Sequence, residues 1–240
     1  MRRRRSFLRP TGMLLALVAA AARLPSQQRD SSPLIGALPF TNSIVGSERA
    51  ALDPLVSGVP ELLLIELSRN PDVRSVEPAR VRRVLASQKR DPQARIDDEA
   101  ATRIGRILGA QWMILGSFTS DGRGTLRVAA SLVNVESGQA EHSASAEGKQ
   151  ANLAGLTGQL AEHLGRDLHL AGLPQDSRRA RDLAQKASYE TTMAFARAIE
   201  ARDAGRVQQA IAMLQTLVSG HPEYEPAQNE LRRLHSDPAR

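Results

Sequence analysis

The residues able to do chemistry in this 240-residue chain are few and scattered. Histidines stand at His142, His163, His169, His221 and His235. No two of them are four residues apart, the spacing that turns two imidazoles toward one zinc ion from a single helix face. His163 and His169 point to different faces of a helix, at about 100° per residue. Asp97, Asp98 and Glu99 form a carboxylate cluster. A calcium loop needs further ligands at alternating positions, whereas at a helix start the same charges stabilise the positive end of the dipole. Asp121-Gly122-Arg123-Gly124 is glycine-rich but lies between two strand-like runs. A phosphate cradle needs a strand, the loop and then a helix N-terminus, so this segment reads as a hairpin turn. Ser117 and Ser131 lack the GxSxG setting of an activated serine. With no cysteine, these residues hold no disulfide, thiolate zinc site, thiol nucleophile or cysteine-linked lipid. The reading is of a non-enzymatic protein. No catalytic residue, cofactor-binding residue or metal ligand is assigned, no cofactor is expected, and the partner-binding residues stay unknown.

The elements around these residues follow from periodicity and punctuation. Aromatic residues make up only 3% of the chain, so the core must be built from Leu, Val, Ile and Ala. Residues 34–40 are a short apolar run suited to a strand, with Pro39 ending it or placing it at an edge. Leu55, Val59, Leu62, Leu63, Glu66 and Leu67 mark one face of a helix over about 52–68. Residues 73–76 suit a brief strand. Pro78 sits well at the first position of a helix, where its missing N–H costs nothing. After the Arg90-Asp91-Pro92 break, Asp97 or Asp98 caps a helix with Ala100, Ala101, Ile104, Ile107 and Leu108 inward, and Gly109 ends it. Residues 112–118, 126–133 and 140–146 read as an antiparallel meander. A closing helix spans 151–170. Helices alternate with strands first and three strands then run together, so the fold class expected is α+β, a mixed sheet with an antiparallel meander packed by helices.

Both ends of the chain read differently from this middle. Arg2, Arg3, Arg4, Arg5 and Arg9 precede the apolar stretch 12–22, which is too short for a transmembrane helix, and Ala20-Ala21-Ala22 offers a cleavage site. Residues 1–22 are therefore read as a signal peptide cleaved near Ala22, and 23–32 as a linker. Arg4-Arg5-Ser6-Phe7-Leu8-Arg9 is similar to a twin-arginine signal, with the general secretory route as the alternative. The formal charge of +6 falls to about +1 without those five arginines. No basic face remains to suggest nucleic acid, because Arg178, Arg179 and Arg181 are flanked by Asp176 and Asp182 and suit a solvated helix face. Residues 173–240 form a helical tail. Its stretch 195–214, with small Ala198 and Ala210, a turn at Gly205 and a stop at Pro222, resembles a tetratricopeptide repeat. One such repeat cannot bury both its faces, so it either covers the main domain or docks a partner.

Three segments carry a further resemblance: Leu34-Ile35-Gly36-Ala37-Leu38-Pro39-Phe40, residues 76–88, and residues 100–110 followed by Leu115-Gly116-Ser117. Together with the turn at Asn134-Val135-Glu136-Ser137-Gly138, their order is similar to that of the CsgG-type curli assembly and transport family and, more loosely, the TolB amino-terminal domain, over residues 33–172. The chain departs from the channel-forming members in having no anchoring cysteine and no room for membrane-crossing hairpins. The resemblance implies an exported, periplasmic or cell-envelope protein that binds protein partners in envelope assembly or secretion. Peripheral association with the outer membrane and homo-oligomerisation are compatible with it. Two alternatives stay open: a TolB-like and tetratricopeptide regulatory or ligand-sensing module, and an accessory ring-forming subunit of an export channel.

Overall fold

The computed structural model describes residues 32–88 and 96–236. The expected signal peptide, the linker up to residue 31 and the Arg90-Asp91-Pro92 break lie outside the described residues. A mixed sheet organises the rest. β1 (Leu34–Ala37) runs parallel to both β3 (Arg74–Ser75) and β4 (Trp112–Ser120), and β2 (Thr41–Asn42) runs parallel to the end of β4. β5 (Thr125–Asn134) and β6 (Gln139–Lys149) add antiparallel neighbours, giving the order β3-β1-β4-β5-β6 with β2 beside β4. The class is α+β, a mixed sheet packed by helices.

Alternation along the strands divides the core. Ile114, Phe118, Leu126, Val128 and Leu132 point to one face, beneath α2 (Leu55–Ser68) and α5 (Leu153–Asp167). Leu38, Met113, Leu115, Val133 and Val135 lie in the cluster on the other face, against α3 (Pro78–Ser87) and α4 (Asp98–Leu108). Local chemistry sets the helix ends. Pro78 is the first residue of α3. Asp97 caps α4 by accepting from the Ala100 N–H at 2.8 Å. Gly109 closes α4 with φ +70°, a left-handed conformation open to glycine at little cost.

The helix expected over 52–68 is divided. A single turn, α1 (Arg49–Leu52), precedes α2, whose N-cap is Pro54. Inside α2, Pro60 has no N–H to give the Val56 carbonyl four residues earlier. The Phe40 N–H donates to that carbonyl instead, at 2.9 Å, so a gap in the helix ladder is filled from the bend between β1 and β2. β6 is longer than the segment 140–146 expected from sequence. Its Glu, Ser and Ala side chains lie mostly exposed, and an exposed strand shows little hydrophobic alternation.

Four helices complete the described chain: α6 (Gln175–Ala184), α7 (Tyr189–Asp203), α8 (Val207–Gly220) and α9 (Glu225–Ser236). α7 and α8 pack as a hairpin, α9 packs on α8, and α7 lies along α2. Among the described residues no helix is long and apolar enough to cross a membrane.

Candidate partner-binding surface

Two surfaces compete for the role of docking site, the helical tail and the outer half of the sheet. The tail's inner face is already occupied. Ala198 and Ala210 are completely buried in a cluster with Phe195, Ile199, Leu214 and Leu62 of α2. Gly58 makes the close approach possible: a Cβ there would lie 2.4 Å from the Ala196 Cβ.

A buried charge network joins the same surfaces. Arg202 on α7 is 4% exposed and donates to Glu61 of α2 at 2.9 Å, to Glu230 of α9 at 2.7 Å and to Asp203 at 2.9 Å. Arg233 adds a second cation, 3.1 Å from both Glu61 and Glu230. Burial alone would raise the Glu61 carboxyl. The Arg202 and Arg233 charges, with the hydrogen bonds they donate, outweigh burial and hold it below the ordinary range. Removing Arg202 would leave Glu61 and Glu230 buried with only the partly exposed Arg233 to balance them, so these groups fasten the seam as a set.

A neighbouring pair is less well matched. Glu66 accepts from Arg69 at 3.1 Å through one oxygen, while its other oxygen is buried without a partner. Burial pushes this carboxyl up by more than Arg69 pulls it down. Glu66 and Arg181 line a cavity of about 310 Å³ between α2, α5 and α6. Arg178 and Arg179 are exposed on α6, while Arg181 is half-buried against this cavity.

The outer half of the sheet is built in the opposite way. On the α3–α4 side, α3 packs on β1, and α4 packs on β4 and, less extensively, on β5 and β6. Ser117, Ala129 and Ser145 lie in one cross-strand row and Leu115, Ser131 and Ser143 in the next. Leu115 is buried, Ser117, Ala129 and Ser131 are half-buried, and Ser143 and Ser145 are exposed. These rows floor an open trough of about 1000 Å³, with Asp97, Asp98 and Glu99 of the α4 start on its rim. Small side chains on a pleated floor present a flat, weakly polar surface with little rotamer freedom to lose on contact.

The other residues considered for chemistry are dispersed. His142 packs on Trp112 with ring centroids 5.4 Å apart, His163 and His169 are exposed, and His221 follows α8 beside Thr191 and Glu223. Asp121 closes the β4–β5 turn by accepting from the N–H groups of Arg123 and Thr125 at 2.8 and 2.9 Å. Asn134 does the same for Glu136 at 2.9 Å in the next turn. Among the described residues no group of three His, Asp or Glu side chains is placed to hold a metal ion.

No family model matches the chain, and no curated protein matches it. Solved structures do. The LpoB C-terminal domain from Escherichia coli is 17% identical, with 52% of this chain and 89% of that one covered and a TM-score of 0.39. The corresponding Salmonella enterica domain is 16% identical, over 50% of this chain and 84% of that one, with a TM-score of 0.36. Lipoprotein GNA1162 from Neisseria meningitidis is 17% identical, over 57% of this chain and 96% of that one, with a TM-score of 0.40. These matches correct the resemblance drawn to CsgG-type components and to the TolB amino-terminal domain, since the neighbours are LpoB-type lipoprotein domains. The misreading has a physical source. An apolar opening strand, a proline-started helix, a glycine-capped helix and a second strand are what any parallel strand pair bridged by helices requires. Such motifs report local geometry before they report kinship.

Sequence reasoning missed Glu61, Arg202 and Glu230. Glu61 stands in a mostly apolar helix, a signal that could have marked it. Arg202 and Glu230 lie among other charged and polar residues and carry no such signal.

Proposed function

We propose that this protein is a non-enzymatic, exported component of the cell envelope that holds a protein partner in envelope assembly or secretion against the open half of its sheet. The observation that carries the reading is the contrast in cover. The tail's small-residue face is filled by α2, whereas the trough over β4, β5 and β6 is floored by Ser117, Ala129, Ser131, Ser143 and Ser145 and stands open. In this reading residues 1–22 direct export and are removed near Ala22. Residues 33–172 carry the surface, and residues 173–240 brace α2 from behind. The arginine-rich start and the short apolar stretch after it support export.

The test is photo-crosslinking in the native cell from a reactive side chain placed at Ser131, with Gln159 on the exposed side of α5 as the control position. The expected result is an adduct with one envelope protein from Ser131 alone, lost when Ala129→Arg blocks the trough. Equal labelling from both positions, or an adduct unaffected by Ala129→Arg, would defeat the proposal.

A further inference from the structure

The outer edge of β6 is a second surface, made of backbone, and it borders the trough at Ser143 and Ser145. The Gln150 N–H donates to the Gly124 carbonyl at 2.8 Å, which sets the phase of the β5–β6 ladder. Bonded pairs alternate along an antiparallel ladder. The even-numbered residues of β6 from His142 to Gly148 therefore bond to β5, opposite Leu132 to Leu126. Ser143, Ser145, Glu147 and Lys149 turn their N–H and C=O groups away from the sheet. Among the described residues no strand lies on that side.

Natural edges are blunted by proline, charged side chains, bulges, shortness or a covering element, and on β6 the charges Glu141, Glu147 and Lys149 and the bulge stand toward the ends. β6 is 11 residues long, contains no proline and has Ser143, Ala144 and Ser145 at its middle. The ladder is bounded at both ends. A bulge lies at Glu141, where the pairing shifts between Leu132 and Val133, and a 3-10 turn, Gln150–Asn152, follows Lys149. The midpoint of the segment 141–149 is Ser145.

We propose that this edge pairs with the same edge of a second copy of the chain, antiparallel about a two-fold axis at Ser145. The charges select both occupant and register. With the axis at Ser145, Glu141 of each copy faces Lys149 of the other, Ser143 faces Glu147, and the outward-facing groups of one strand meet those of its mate. An axis at Ala144 opposes Glu141 to Glu147 twice, and one at Glu147 opposes Glu147 to itself, both like-charge contacts that destabilise a pair. An axis at Ser143 or Ala146 leaves Lys149 with no acid opposite. The Ser145 register alone among these gives two opposite-charge pairs and no like-charge pair. The resulting interface is isologous and closes at two copies, in contrast to a ring. It does not depend on the trough reading.

Sedimentation of the whole chain across a concentration series tests this. The expected result is a monomer–dimer equilibrium. Lys149→Glu alone and Glu141→Lys alone should each weaken the dimer by about tenfold or more, because both symmetry-related pairs become like-charged. Mixing the two variants should restore it as a heterodimer. The lysine introduced at position 141 of one chain then meets the glutamate introduced at position 149 of the other, and the unaltered Lys149 of the first still meets the unaltered Glu141 of the second. Ser145→Pro, which removes an outward N–H at an edge where proline is tolerated, should leave the thermal melt of the monomer intact and abolish association. A wild-type chain that stays monomeric at every concentration reached overturns the proposal. So does a dimer indifferent to both charge changes, or one that mixing fails to restore.

Discussion

The seam between α2 and the helical tail and the outer half of the sheet solve opposite problems. In the seam, Arg202, Glu61, Glu230 and Arg233 are brought out of water and matched to one another, and Gly58 lets the Ala196 backbone approach. Such a contact is costly to leave half-made, because any one group would be stranded. Over β5 and β6 the exposed floor is Ser and Ala, and the charges stand at its margins as Arg127, Glu147 and Lys149. That surface loses little when free and little when covered. The difference suits the first to a permanent intramolecular joint and agrees with the reversible contact proposed for the second.

The comparison can be broken first at Arg202. Arg202→Met should destabilise the chain by about 3–5 kcal/mol in urea unfolding, because Glu61 and Glu230 stay buried without it. Replacing all three by Met, Leu and Leu should recover most of that loss, since a well-packed apolar set of similar volume avoids the desolvation cost. A single change no worse than the triple one would show that the network contributes little. Next, Gly58→Ala should cost about 1–3 kcal/mol, since the added methyl meets Ala196 side chain and backbone. A matching loss in the Ala196→Gly background would place the strain elsewhere.

The pH response separates the two buried carboxylates of α2, Glu61 and Glu66. Glu61 is depressed in the fold, so its contribution is present above the ordinary value of 4.5 and lost as pH falls through its lower folded value. Glu66 is raised, so its contribution is complete below 4.5 and is lost as pH rises through its higher folded value. Glu66→Gln should therefore gain on the wild type between about pH 4.5 and neutrality, measured as the change in urea midpoint. A difference that shrinks over that interval would reverse the assignment. The smallest effect belongs to the open half. Ser131→Trp should move stability by less than about 0.5 kcal/mol, as surface changes do. A larger loss would mean the floor is part of the core.

Much of the scaffold is legible in the sequence because it depends on neighbours a few residues apart. Asp97 and its Ala100 partner, Pro78 at a helix start and Gly109 at a helix end need only local chemistry. The seam is not legible in that way. Glu61 and Arg202 are 141 positions apart, and no period links them. The full length of β6 is hidden for a related reason, since its exposed side chains leave no hydrophobic signal. The small residues of the tail suit a docking face, and small residues do mark close approach. Which surface approaches is a matter of tertiary packing, and here it is α2.

The hydrogen bond from the Phe40 N–H to the Val56 carbonyl acts as a proofreader of strand alignment. An isolated α2 would leave that carbonyl to water, and burying it unpaired would cost about 1–3 kcal/mol. A slip of one residue in one direction would bring Pro39 to the position, and proline has no hydrogen to offer. The two prolines, Pro39 at the strand exit and Pro60 in the helix, thus penalise a slip in that direction: the helix is satisfied when Phe40 arrives and is left one bond short when Pro39 does.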